Sequence, residues 1–156
     1  MKEKIKKYIK EIILFSIVML VFANGVSLYR SMDLNKEPFP LNYTLSKDKP
    51  ILVHFWATWC PVCKAEAGNI QTISENFQVI TIAVKSGSDE EIQEYLKGRD
   101  LNFKFINDED GYLAQKFGIN IYPTTIIYDK DKNVVFSDVG YTSTWGLWLR
   151  MLWAGK

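Results

Sequence analysis

Both cysteines of the 156-residue chain and its only histidine lie in one short stretch, HFWATWCPVCKAE, at residues 54–66. A disulfide between Cys60 and Cys63 would close a very small loop and constrain little of the unfolded chain, so a purely structural role is not favoured. A closed zinc site needs four ligands, and the stretch offers only Cys60, Cys63 and His54. The pair therefore favours redox exchange without a bound metal, and a copper(I) dithiolate is the alternative.

The residues around the cysteines indicate how the pair would react. Cys60 follows the apolar run ILVHFWA and precedes Pro61, a residue that suits the first position of a helix. Free N–H groups and the positive end of the helix dipole stabilise a thiolate there, and the thiolate is the attacking species. Cys63 lies about one turn further on and is expected to be more shielded. We therefore predict that Cys60 forms a mixed disulfide with a partner and that Cys63 resolves it.

The rest of the sequence predicts the elements that position this pair. Buried strands alternate with helices and a late hairpin follows, which indicates a mixed central sheet with helices on both faces. The predicted strands are PILVHFWA, FQVITIAV, FKFIND, TTIIY and VVFSD, and a short edge strand is predicted near 43–45. The predicted helices are 61–76, 88–98, 110–117 and 144–153. In the last helix an apolar stripe is expected to face the core, formed by Trp145, Trp148, Leu149, Leu152 and Trp153.

Composition and charge limit the classes of function. With 47% hydrophobic residues, the chain can form the core of one globular domain. Its net charge of +1 does not favour nucleic-acid binding. The positive charge is concentrated at the start of the chain, because residues 1–11 contain five lysines and two glutamates.

An uncharged apolar run, IILFSIVMLVFANGVSL, follows at 12–28. At about 1.5 Å per residue, a helix of this length approaches the roughly 30 Å of a bilayer core. The lysines before it predict a basic cytoplasmic head at 1–11, a transmembrane anchor at 12–28, a linker at 29–37 and an exported domain at 38–156. A cleaved signal peptide is the alternative, and both interpretations place the domain outside the cytoplasm.

Two stretches, ILVHFWATWCPVCKAE and GINIYPTTIIYDKDKNVVF, resemble the thioredoxin superfamily, and more narrowly the membrane-anchored TlpA/ResA-type thioredoxins of bacteria. This group includes cytochrome c maturation and copper-sensitivity-suppressor proteins. The resemblance covers about residues 38–153 and implies a thioredoxin-like three-layer α/β/α fold. It also implies a cis peptide bond before Pro123, with the Tyr122 backbone opposite Cys60, where an extended substrate segment would pair.

The resemblance and the motif together define the expected docking surface. Trp56 and Trp59 flank the cysteines and are expected to form an apolar surface for a partner. Trp59, Pro61, Tyr122 and Pro123 are the expected substrate-binding residues. Pro61 also belongs to the dipeptide between the cysteines, which tunes the reduction potential in this superfamily.

Two titratable side chains near the pair are candidates for proton handling. Glu66 lies three residues after Cys63, so the two share a helix face. In TlpA/ResA-type proteins a glutamate at this position assists proton transfer to and from the thiols, and the alternative is an ordinary solvated helix residue. His54 occupies the position that matches the buried aspartate of thioredoxin. It is expected either to tune Cys63 or to be a neutral, hydrogen-bonded core residue.

The direction of electron flow follows from the resemblance and not from the motif. TlpA/ResA-type proteins are kept reduced by a transmembrane thiol electron donor. We therefore expect a reductase of exported disulfide proteins, such as apocytochrome c or copper-handling proteins, at the bacterial cytoplasmic membrane with its catalytic domain outside. No cofactor beyond the Cys60–Cys63 disulfide is expected. A net disulfide oxidase and a copper(I)-binding dithiol remain alternatives, and the W-x-x-C-P-x-C pattern does not favour a peroxide-reducing redoxin.

Overall fold

The computed structural model describes residues 2–31 and 48–156. Its first helix, α1 (Lys2–Ser31), contains the basic head and the apolar run without interruption. Among the described residues, no helix is both long enough and apolar enough to cross a membrane. The predicted linker at 29–37 begins inside α1, and the rest of it lies outside the described residues, as does the strand predicted near 43–45.

Among the described residues, five strands form one mixed sheet, which confirms the mixed sheet that the sequence predicts. The central strand, β1 (Ile51–Trp56), pairs in parallel with β2 (Gln78–Val84) and antiparallel with β4 (Thr124–Tyr128). At the two edges, β3 (Phe105–Asp108) is parallel to β2, and β5 (Val134–Val139) is antiparallel to β4. All six residues of β1 are buried, which explains why ILVHFW does not alternate between apolar and polar residues.

Helices cover both faces of the sheet, which confirms the predicted layers. α2 (Pro61–Ser74), α3 (Asp89–Lys97) and α5 (Thr144–Ala154) contribute to the hydrophobic cluster on one face. α4 (Tyr112–Lys116) contributes to the cluster on the other face. Both cysteines belong to the first cluster, so the chemistry lies on the side of α2 and α5.

The prediction that the apolar stripe of the last helix faces the core is wrong for four of its five positions. Trp148 alone of the five is partly buried and packs against the core. α5 buries Leu147, Met151 and Ala154 against the core. The predicted positions include Trp145 and Trp153, which are 77% and 58% exposed. Eight of the eleven residues of TWGLWLRMLWA are apolar, so apolar residues recur at helical spacing on more than one face of the helix. Only the placement of α5 on the sheet decides which face is buried.

Candidate active site

The two cysteines lie where the sequence predicts, between the end of β1 and the start of α2. The Cys60 N–H donates to the Ala57 carbonyl at 3.2 Å and closes a turn. The Thr58 N–H donates to the Ser86 hydroxyl at 3.0 Å, which holds this loop against the segment that follows β2. Cys60 is the N-cap of α2, and its sulfur accepts a hydrogen bond of 3.1 Å from the Cys63 N–H. An N–H of the first helical turn is therefore directed at the sulfur that would carry the thiolate.

Cys60 and Cys63 form a disulfide, and their Cα atoms are 5.3 Å apart. The sequence predicts that Cys60 is the more exposed of the two, and this is wrong for the oxidised pair. Cys60 is 4% exposed and Cys63 is 3% exposed. The two residues are similarly buried because both sulfurs pack into the same hydrophobic cluster. The Cys60 sulfur is distinguished by its contact with the Tyr122 carbonyl oxygen.

Cys60 faces the backbone of the loop before β4. The Tyr122–Pro123 peptide bond is cis, which confirms the geometry that the resemblance implies. The Cys60 Sγ lies 3.6 Å from the Tyr122 carbonyl oxygen. This approach follows from the sheet, because β1 leads into Cys60 and its neighbour β4 begins directly after Pro123. The backbone next to the cis bond is therefore in contact with the sulfur that is predicted to react with a partner.

Exposed apolar side chains lie next to the disulfide. Trp59 is 55% exposed, and its Nε1–H donates to the Lys85 carbonyl at 3.0 Å. The Trp59 ring meets the Tyr122 ring edge to face, with centroids 5.7 Å apart. Val62, between the cysteines, and Ile121, beside Tyr122, are also exposed. These residues form an apolar surface beside the reactive bond, as predicted for Trp59.

Trp56 does not belong to this surface, so its predicted docking role is wrong. Its side chain is 3% exposed and packs against the rings of Tyr95 and Phe103. As the last residue of β1 it points into the cluster beneath α2 and α3 because side chains alternate along a strand. Pro61 is exposed at the first position of α2, where a partner can reach it.

Glu66 is fully buried on the face of α2 that also carries Cys63. Its Oε1 accepts a hydrogen bond of 2.9 Å from the Thr142 N–H, and its Oε2 has no hydrogen-bond partner among the described residues. Burial raises the pKa of Glu66 to about 8; the Thr142 N–H opposes this shift, and the charge of Asp138 adds to it. Glu66 is therefore not the solvated helix residue of the alternative interpretation, and near neutral pH it carries a proton.

The loop that contains Thr142 is attached to α2 by a second side chain. The Asn69 Nδ2 donates to the Thr142 carbonyl at 3.0 Å, and the Thr144 hydroxyl donates to the Asn69 Oδ1 at 2.9 Å. Both backbone polar groups of Thr142 are thus bonded to α2, one to Glu66 and one to Asn69. Sequence reasoning missed Thr142, because a residue that acts through its backbone N–H leaves no signal in its side-chain type.

His54 lies in the middle of β1, in register with Thr125 of β4. It is 3% exposed, and its Nδ1 lies 2.9 Å from the Thr125 Oγ1. Burial lowers the pKa of His54 to about 3, so the ring is neutral at physiological pH. These features favour the second interpretation of His54, a neutral hydrogen-bonded core residue.

An ion pair that sequence reasoning also missed lies on the same side of the sheet. The Arg150 Nε on α5 lies 3.0 Å from the Asp138 Oδ2 on β5. The only sequence signal was an aspartate inside the predicted strand VVFSD. In the described parts of the chain, no group of three or more His, Cys, Asp or Glu side chains is arranged to hold a metal ion.

Comparison with known proteins identifies the family. Residues 28–137 match the AhpC/TSA family. The chain belongs to this family. A thioredoxin-like protein of Haemophilus influenzae is 35% identical over 123 residues, which span 78% of this chain and 72% of that protein.

Two further relatives are disulfide oxidoreductases. The thiol-disulfide oxidoreductase ResA of Bacillus thuringiensis is 28% identical over 93 residues, which span 57% of this chain and 54% of that protein. The crystal structure of a secreted disulfide oxidoreductase of Mycobacterium tuberculosis, homologous to Escherichia coli DsbE, has a TM-score of 0.59 and 26% identity. The match covers 67% of this chain and 81% of the Mycobacterium tuberculosis chain. With its Cys60–Cys63 pair in a thioredoxin-like fold, this AhpC/TSA-family protein is a protein disulfide oxidoreductase.

Proposed function

We propose that this AhpC/TSA-family protein is an exported, membrane-anchored reductase of specific disulfides in extracytoplasmic proteins. One observation carries the exchange chemistry of this proposal: the Cys60 sulfur lies at the start of α2 and 3.6 Å from the Tyr122 carbonyl oxygen, at the edge of an exposed apolar surface. A partner that docks there brings its own sulfur to Cys60 and not to Cys63. The two cysteines therefore differ in access to a partner although they are equally buried.

Substrate reduction begins from the dithiol form. The Cys60 thiolate attacks one sulfur of the substrate disulfide, and the other substrate sulfur leaves as a thiolate, which gives a mixed disulfide. In the fraction of molecules in which Glu66 is ionised, its carboxylate takes the proton of Cys63, and Cys63 attacks the Cys60 sulfur. The bond between Cys60 and the substrate breaks, and the second substrate thiolate leaves. Two electrons pass to the substrate, and the Cys60–Cys63 disulfide remains.

Regeneration of the dithiol uses Glu66 in the opposite direction. A thiolate of the electron donor attacks the Cys60 sulfur, and Cys63 leaves with the electron pair of the broken S–S bond. The proton on Glu66 passes to this sulfur and gives a neutral thiol. A second donor thiolate then attacks the donor sulfur of the mixed disulfide, Cys60 leaves as a thiolate, and the donor is left as a disulfide. The pKa of Glu66, about 8, lies close to the ordinary value of about 8.5 for a cysteine thiol, so the proton moves in either direction at little cost.

The docking surface is proposed to bind an extended segment of the substrate. The backbone of Tyr122 and Pro123 pairs with this segment, while Trp59 and Pro61 contact its apolar side chains. The exposure of Trp59 and its edge-to-face contact with Tyr122 support this role, because the ring is held in place and is still open to a partner. We propose no cofactor beyond the disulfide.

The location of the protein is inferred from the start of the chain. The five lysines of residues 1–11 and the uncharged run at 12–28 support an anchor in the cytoplasmic membrane with the catalytic domain outside. The Mycobacterium tuberculosis relative is secreted. A periplasmic reporter fused after residue 156 is expected to be active, and activity of a cytoplasmic reporter at the same position would contradict this topology.

The electron donor and the substrates are inferred from the resemblance to TlpA/ResA-type thioredoxins. A transmembrane thiol donor would supply electrons from the cytoplasm to a domain that is anchored next to it. The expected substrates are exported proteins whose disulfides must be opened before a metal or haem is attached, such as copper-handling proteins or apocytochrome c.

The reduction potential of the Cys60–Cys63 pair tests the direction of electron flow. Equilibration of the full-length protein with dithiothreitol buffers is expected to give a potential below roughly −200 mV, as for other reducing thioredoxin-like proteins. A value near roughly −120 mV, as for a strong oxidant, would assign net disulfide oxidation instead. Tight stoichiometric copper(I) binding without any disulfide exchange would support the copper(I) dithiol.

A further inference from the structure

A row of polar side chains crosses the sheet beneath α2 and α5. His54 of β1 is in register with Thr125 of β4, and Thr125 is in register with Asp138 of β5. Residues in register lie on the same face of a sheet, so all three face the layer that contains the cysteines and Glu66. Asp138 is the acid of this row: burial raises the pKa of its carboxyl, and the charge and hydrogen bond of Arg150 lower it.

Arg150 holds the Asp138 carboxylate with two contacts. The Arg150 Nε lies 3.0 Å from the Asp138 Oδ2, and the Arg150 Nη2 donates to the Asp138 Oδ1 at 3.1 Å. The two side chains are 26% and 17% exposed, so the pair is only partly screened by water. The guanidinium also lies over the Phe136 ring, 5.8 Å from its centroid. One hydrogen bond and one close ion contact thus hold the Asp138 carboxylate against the guanidinium.

The ion pair and Glu66 are connected through one short segment of the chain. Asp138 is near the end of β5, Thr142 follows four residues later, and Arg150 lies on α5. Thr142 donates its N–H to the Glu66 Oε1 at 2.9 Å. Burial is the main cause of the raised pKa of Glu66, and the Asp138 charge raises it further.

The other titratable groups on the elements around Glu66 are either exposed to solvent or neutral. Lys64 on α2 and Glu75 at its C-cap are exposed, as are the charged residues of α3. His54 on β1 is neutral, and the exposed Tyr141 hydroxyl is bonded to Asn69. In the described part of the chain, Asp138 and Arg150 are thus the partly buried fixed charges of this layer.

We propose that Asp138 and Arg150 are positioning residues that set how firmly Glu66 holds the proton it gives to Cys63. The proposal rests on the proposed role of Glu66 in disulfide exchange. When a donor thiolate attacks the Cys60 sulfur, the S–S bond breaks, Cys63 keeps the electron pair and the proton of Glu66 passes to it. Glu66 is then a carboxylate beside Asp138. The Asp138 charge disfavours this form, and Arg150 offsets part of that repulsion.

The two residues therefore act in opposite directions, and this gives a test. The rate at which dithiothreitol reduces full-length protein in detergent is followed by tryptophan fluorescence and divided by the dithiothreitol thiolate concentration at each pH. The normalised rate falls at the pH where Glu66 loses its proton. Asp138→Asn is expected to move this midpoint to lower pH and Arg150→Gln to higher pH, each by about half a pH unit or more. Arg150→Lys, which keeps the charge, is expected to stay near the wild-type midpoint.

A purely structural role for the ion pair predicts a different pattern. Loss of a structural contact would move both midpoints in the same direction or leave both unchanged, and either result overturns the proposal. Asp110→Asn and Lys130→Gln remove exposed charges elsewhere and serve as matched controls. If Asp138→Asn does not fold by circular dichroism, Asp138→Ser removes the same charge and replaces it.

Glu66→Gln separates this inference from the function on which it depends. If Glu66→Gln leaves the midpoint in place, Glu66 is not the proton donor and its proposed role in exchange fails. If Glu66→Gln abolishes the midpoint but neither ion-pair variant moves it, only the role of Asp138 and Arg150 fails.

Discussion

Glu66 and His54 are both buried on the same side of the sheet, yet their surroundings prepare them for opposite roles. His54 is inside β1, and its Nδ1 is paired with the Thr125 hydroxyl at 2.9 Å. Glu66 is on α2, where one oxygen accepts the Thr142 N–H and the other has no partner among the described residues. The histidine is held as part of the sheet, whereas the glutamate keeps an oxygen that can exchange a proton.

Burial produces this difference because it always favours the neutral form. For a base the pKa falls, and that of His54 reaches about 3, far from the pKa of a thiol. For an acid the pKa rises, and that of Glu66 reaches about 8, close to the pKa of a thiol. The same desolvation therefore removes the histidine from proton exchange near neutral pH and brings the glutamate into it.

The largest expected effect is on the rate of exchange. Glu66→Gln is expected to slow the reduction of the Cys60–Cys63 disulfide by dithiothreitol at neutral pH by about 100-fold, because an amide cannot give a proton to the leaving Cys63 sulfur. The decrease of the thiolate-normalised rate above about pH 8 is expected to disappear. Glu75→Gln, at the exposed C-cap of the same helix, is the matched control. An unchanged pH–rate profile in Glu66→Gln would remove the distinction between the two buried groups.

The next effect is on the free energy of unfolding between pH 4.5 and about 8. The folded pKa of Glu66 is above its ordinary value of 4.5, so the folded state holds this proton over a pH range where the unfolded state has lost it. The free energy of unfolding of the wild type, relative to Glu66→Gln, is therefore expected to fall as pH rises from 4.5 to about 8. The slope is at most about 1.4 kcal/mol per pH unit. Denaturant unfolding across this range measures the difference, and parallel curves would contradict the raised pKa.

The smallest effect on function is expected from His54. Its folded pKa is below its ordinary value of 6.5, so stability is present above pH 6.5 and is lost as pH falls towards 3. His54→Gln is expected to flatten this acid limb relative to the wild type, by at most about 1.4 kcal/mol per pH unit. The pH–rate profile of exchange is expected to be unchanged. A shift of the profile in this variant would show that His54 tunes Cys63 after all.

Much of the fold was predictable because its signals are local. The uniformly apolar run ILVHFW predicted a strand buried on both faces, and Pro61 after Cys60 marked the start of α2. The stripe on α5 was not predictable, since almost all of its residues are apolar. The docking role of Trp56 was wrong for a related reason: residues close to the motif in sequence do not all point to the same side of it.

The sequence by itself determined the reactive pair, its place between a strand and a helix, and the thioredoxin-like order of elements. These depend on residue types and on spacings of a few positions. Tertiary structure alone decided which buried groups can act on the pair. The Thr142 N–H, the Thr125 hydroxyl and the Asp138 charge reach Glu66 or His54 from residues more than 70 positions away. Burial and long-range contacts set the pKa of Glu66 and burial sets that of His54, and neither can be predicted from the residue spacing around Cys60 and Cys63.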